Sequence, residues 1–124
     1  MKINKMKEFL LLIRTEGDYC AEMTADQYHL HLSKVGDYIN TLKQSGKLIG
    51  AQPLSMNGEI IQGRKGIFKD GPFIETKEII IGYFHIYAND LEDAKTTAKA
   101  NPIFQDVDAA RIEVREIKHE EGIN

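Results

Sequence analysis

Cysteine is nearly absent from this 124-residue chain: Cys20 stands alone, so no intrachain disulfide can form and the fold must be held by packing. Nothing beside Cys20, which lies between Tyr19 and Ala21, would lower a thiol pKa, so it reads as a loop or core residue rather than a nucleophile. Long hydrophobic runs are also missing. The opening MKINKMKEFLLLI places basic residues before an apolar stretch, but the stretch is too short for a signal peptide or a membrane span and Arg14, Glu16 and Asp18 end it. We therefore expect a cytoplasmic protein with no membrane partner. Sixteen basic residues face nineteen acidic ones and show no Lys/Arg cluster, which argues against a nucleic-acid partner held by phosphate neutralisation. Neither the Rossmann nor the P-loop glycine spacing is present, and His29 and His31 do not share a helix face as an i, i+4 metal pair would. No metal and no cofactor are expected.

What is there suits one soluble α+β domain over residues 1–124, with an apolar share of 42% and a charged share of 28%. EFLLLIRTEG is a compact apolar run suited to a central strand buried on both faces. Thr24 and Gln27 form a capping-box pattern before a helix with Tyr28, Leu32, Val35, Ile39 and Leu42 on its apolar stripe, ended by Gly46. KLIGAQPL reads as a strand broken by Pro53, and NGEIIQGRKGIF as a hairpin. Gly71 and Pro72 suggest a tight turn, with Phe73 anchoring it in the core.

In EIIIGYFHIYA, Ile79, Ile81, Tyr83, His85 and Tyr87 alternate with Ile80, Gly82, Phe84, Ile86 and Ala88. Asp90 can cap a second helix that Asn101 and Pro102 stop, ARIEVREI alternates as a last strand, and residues from about 118 to 124 read as a frayed tail. This order predicts a ferredoxin-like antiparallel sheet with two helices on one face. Gly82, Phe84, Ile86, Ile112 and Val114 form the better core face, so Tyr83, His85, Tyr87, Glu113 and Arg115 should point the other way. Such residues suit an interface or a lined cleft, which predicts a homodimer packed sheet on sheet; a plain solvated face is the alternative.

DGPFIETKE followed by GYFHIYANDLEDA resembles the DGPF-domain branch of the YCII-related family, with support from EFLLLI, SGKLIGAQPL and IEVREI. The resemblance implies a dimeric α/β barrel built from ferredoxin-like units. It implies no established reaction, although some bacterial relatives are fused to or encoded beside extracytoplasmic-function sigma factors. The wider family is associated with a His/Asp pair whose His lies on the first helix. Counted back from Gly46, that place holds Val35, while His31 lies one turn upstream and reads as a satisfied boundary histidine.

The residues expected to handle protons, if there is chemistry, are Asp70 and His85. Arg14, Glu75, Lys77, Tyr83 and Arg115 are the candidates for holding a small polar or anionic ligand, because an arginine fork fits a carboxylate. Asp70, Glu75 and Lys77 suit an ion-paired structural loop equally well. The rival function is a non-catalytic interaction or regulatory module that uses the uncovered sheet face.

Overall fold

The computed structural model describes residues 6–72 and 78–119. In chain order these form strand β1 (Lys7–Thr15), helix α1 (Ala25–Gln44), β2 (Leu48–Pro53), β3 (Glu59–Arg64), β4 (Ile67–Pro72), β5 (Ile79–Ala88), α2 (Leu91–Lys99), a one-turn helix α3 (Ile103–Asp106) and β6 (Arg111–Glu116). The local signals act where the chemistry places them. Thr24 Oγ1 accepts from the Gln27 amide at 3.1 Å while Gln27 Oε1 accepts from the Thr24 amide at 2.9 Å, completing the capping box. Gly46 takes φ 73°, and the Lys47 amide then donates to Leu42 O at 2.9 Å, which closes α1. Asp90 Oδ1 accepts from the Asp93 amide at 2.8 Å and starts α2.

The main sheet is antiparallel with the order β2-β5-β1-β6, and β3 with β4 forms a separate two-stranded sheet. Without that hairpin the order is the split βαβ one, with β1–α1–β2 and β5–α2–β6 as its halves. Phe9, Leu11 and Ile13 of β1 meet Phe84, Ile86 and Ala88 of β5 under Tyr38 and Leu42 of α1, Ala94 and Ala98 of α2, and Ile103 of α3. All three helices thus share one face of the sheet. Leu10 and Leu12 of β1 lie half-buried on the other face, so the strand expected to be buried on both sides is sealed on one.

Three readings of the sequence change. The alternation of β5 is interrupted: Ile13 pairs with Gly82 and Arg14 with Ile80, so Ile81 is an extra residue in a bulge. The bulge reverses the phase, which buries both Ile79 and Ile81 and turns Ile80 outward with Tyr83, His85 and Tyr87. Helix α1 is rolled from its expected stripe. His31, Tyr38 and Leu42 are buried while Tyr28 and Leu32 are exposed, because the Tyr38 hydroxyl donates to Thr97 O at 2.6 Å and its ring meets Phe84 edge-on at 5.3 Å. Burial there pushes the Tyr38 phenol up to about 12.

The third change is at Gly71 and Pro72, which are strand residues opposite Ile60 and Glu59. The reversal occurs earlier, at Lys65 (φ 51°) and Gly66 (φ 82°), a two-residue turn whose twist suits a hairpin and whose register extends pairing to Pro72. Pro72 is tolerated there because it closes the strand, where a missing N–H is harmless. Phe73, and residues 120–124 of the expected tail, lie outside the described residues.

Two glycines should respond with opposite signs. A Cβ on Gly82 would stand 3.0 Å from Gln52 O and 3.4 Å from Pro53 Cα, so Gly82→Ala should destabilise by about 1–3 kcal/mol as β2 is pushed off β5. Gly36 lies inside α1 with open space around it, so Gly36→Ala should stabilise by about 0.5–1 kcal/mol. Urea unfolding of both variants checks the pair; equal effects would contradict the close β2–β5 approach.

Candidate functional site

The register of β5, β1 and β6 decides which polar side chains share the uncovered face. His85 and Arg115 both lie opposite Leu10, and Tyr83 and Glu113 both lie opposite Leu12. His85 Nε2 is 2.7 Å from Glu8 Oε1, and the other oxygen of Glu8 is 3.1 Å from His119 Nε2. Glu113 is held in the same manner by two arginines: Arg14 Nη2 at 3.3 Å on Oε1 and Arg115 Nη1 at 3.4 Å on Oε2. Arg14 also reaches the end of the sheet, where it borders a cleft of about 660 Å³ with Ser55, Asn57, Glu59, Glu78 and Ile80.

Arg14, Tyr83, His85 and Arg115 therefore belong to one surface. Asp70 does not join them by any described contact; it is exposed on the hairpin opposite Ile61. Glu75 and Lys77 lie outside the described residues.

A second polar group lies on the helix side. His31 is only 2% exposed, and its Nδ1 is 2.8 Å from Asp106 Oδ2. Lys34 Nζ, one helical turn on, is 3.0 Å from Asp106 Oδ1. The hydrogen bond from His31, with Lys34 adding to it, holds the Asp106 carboxyl below the usual carboxylate range. An ionised carboxylate only accepts hydrogen bonds, so Nδ1 must carry the proton it shares with Asp106. That fixes the tautomer and leaves Nε2 as the basic nitrogen.

The Tyr19 ring stands edge-on to His31 at 5.7 Å. Burial of Tyr19 raises its phenol above the ordinary tyrosine value, keeping it neutral. A cavity of about 190 Å³ lies between α1 and the sheet, lined by Tyr19, His31, Val35, Ile39, Phe84 and Asn101 among others. Val35, where the wider family's histidine was expected, and His31 thus border the same space. The anchoring of His31 was not legible because Asp106 is 75 positions away in α3, a helix the Asn101–Pro102 stop signal conceals. In fact Pro102 begins α3, and the Ile103 amide donates to Asn101 Oδ1 at 2.9 Å.

Among the described residues, no group of three or more His, Cys, Asp or Glu could hold a metal ion, and no helix is long and apolar enough to cross a membrane. The model of the YCII-related domain matches residues 8–120, and the chain belongs to that family. No curated protein matches the chain.

The depressed pKa of Asp106 has a definite sign in stability. Its carboxylate stabilises the fold above the unfolded value near ~4, and that contribution is lost as pH falls through the lower folded value. Asp106→Asn should therefore lose about 1–3 kcal/mol at pH 7, and its deficit against the parent should shrink as pH falls below ~4. Urea titrations of both proteins across that range measure it; a deficit independent of pH would rule out the charged pair as its source.

Proposed function

We propose that this YCII-related protein binds a small organic molecule in the cavity beside His31 and moves a proton there. His31 Nε2 is the acceptor; Asp106, itself held by Lys34, fixes the ring, and its carboxylate stabilises the imidazolium that forms. The observation that carries this reading is a histidine almost wholly removed from water, with Nδ1 fixed 2.8 Å from a carboxylate, at the wall of a largely apolar cavity. Burial excludes competing water, and a fixed tautomer spares the site reorganisation when the proton arrives. The cavity volume of about 190 Å³ suits a molecule somewhat larger than benzene, such as a small phenol or a short carboxylic acid with an apolar body.

A thermal-shift screen of such compounds against the parent and His31→Gln tests the reading, because a ligand of the native state raises its apparent stability. A hit should raise the melting temperature of the parent by several degrees and lose most of that effect in a folded His31→Gln variant. A hit indifferent to His31 would overturn the assignment.

A separate observation favours pairing through the sheet. The half-buried Leu10 and Leu12 lie between the His85–Glu8 and Arg14–Glu113–Arg115 groups on a face that no helix of the described residues covers. Covering it with a second copy buries the leucines and encloses a polar cleft, giving a homodimer of the dimeric α/β barrel kind. There Arg14, Tyr83 and Arg115 would receive an anionic ligand and His85 would share in proton transfer. If this cleft has no ligand, the same face serves a non-catalytic interaction module. Leu12→Glu should convert the dimer to monomer in light scattering at micromolar concentration; a dimer unchanged by it, or a monomeric parent, would sink the sheet-face pairing.

A further inference from the structure

The β3–β4 hairpin stands apart from the main sheet as a separate two-stranded sheet. It pairs only with itself in the sheet topology, yet Ile61, Ile67 and Phe68 are 66%, 77% and 71% exposed. A two-stranded hairpin is marginal in water by itself, and exposed large apolar side chains mark contact surfaces; the register puts Ile61 and Phe68 on one face and Ile67, with Arg64 and Lys69, on the other. Gly63 shapes part of that surface: a Cβ there would come within 2.7 Å of the Phe68 ring, so glycine lets the ring lie across the opposite strand. The outer half is basic, with Arg64, Lys65 and Lys69, for none of which a salt bridge is found among the described residues.

The same chain contains a surface of opposite character. A cleft of about 580 Å³ is lined by Glu16, Asp18, Glu22, Asp106 and Asp108, with no Lys or Arg in its wall. Tyr19, Met23, Leu30 and Val107 supply an apolar lining among the acids. Tyr19 and Asp106 are also the residues next to His31.

We propose that the hairpin of one copy seats in the acidic cleft of a second copy, Arg64 and Lys69 meeting its carboxylates while Ile67, on the same hairpin face, covers its apolar residues. Two copies related by a two-fold axis each give an arm and receive one, so the contact is made twice and closes. The partner's arm then borders the Asp106–His31 pair, and each site is completed in trans. This exchange goes beyond the sheet-face pairing and does not depend on it.

Charge reversal in two halves tests it. Arg64→Glu/Lys69→Glu places an acidic arm against an acidic cleft, and Glu16→Lys/Glu22→Lys places a basic arm against a basic cleft. All four side chains are exposed, so both variants should fold; should either fail in thermal unfolding, the milder Arg64→Gln/Lys69→Gln or Glu16→Gln/Glu22→Gln takes its place with a smaller loss. Sedimentation over a dilution series should show each charge-reversed dimer weakened at least about tenfold, with an equimolar mixture recovering parental affinity because both contacts are complementary in the heterodimer. Two variants that dimerise like the parent, or a mixture as weak as either alone, would overturn the exchange. If the charge variants dimerise normally while Leu12→Glu is monomeric, the arm exchange fails and the sheet-face pairing stands.

Discussion

A strand that is apolar on both faces must be covered on both, and among the described residues β1 has helices over only one. This constraint organises the rest of the molecule. Phe9, Leu11 and Ile13 gather α1, α2 and α3 on the first face and leave no helix for the second. Leu10 and Leu12 remain there half-buried, shielded by neighbouring side chains. The polar residues around them are held by one another: Glu8 by His85 across β1 and β5, and Glu113 by Arg14 across β6 and β1 and by Arg115 along β6. Such a face is neither a normal solvated surface nor a finished core.

Much of the fold was legible because its signals are local. The capping box at Thr24, the glycine closing α1, the cap at Asp90 and the proline ending β2 each act within a few residues of the position that shows them. The face assignment of Tyr83, His85 and Tyr87 also followed from strict alternation. It failed at Ile79 and Ile81, since a bulge reverses phase without any composition change among three successive isoleucines. Gly82 marks the place: the backbone of β2 approaches too closely there for a Cβ. Gly71 and Pro72 misled for the opposite reason, carrying a turn signal that a stronger turn at Lys65–Gly66 overrode by setting the hairpin register first.

The candidate site was less legible because it depends on how α1 rolls about its axis. A periodic stripe through Tyr28, Leu32, Val35, Ile39 and Leu42 predicts one rotation by hydrophobicity alone. The rotation adopted satisfies two polar tips as well, the Tyr38 hydroxyl on Thr97 and the His31 ring on Asp106. Leaving either buried group unpaired would cost about 1–3 kcal/mol, enough to outweigh the partial exposure of Leu32. The same roll leaves Val35 and Ile39 bordering an open space rather than a packed wall, so cavity and histidine anchor have one cause.

Charge arrangement alone would not distinguish the two sides of the sheet. Asp106 lies between His31 and Lys34, and Glu113 lies between Arg14 and Arg115, so each carboxylate is held by two basic groups. Burial separates their chemistry. Arg115 is 70% exposed, so its attraction to Glu113 is screened and an arriving anion can draw it away at little loss. His31 is withdrawn from water, where its interaction with Asp106 is less screened and its orientation is fixed by packing. The exposed set is therefore suited to exchanging partners, as a ligand-receiving or subunit-contacting face requires. The buried set is suited to keeping its partners.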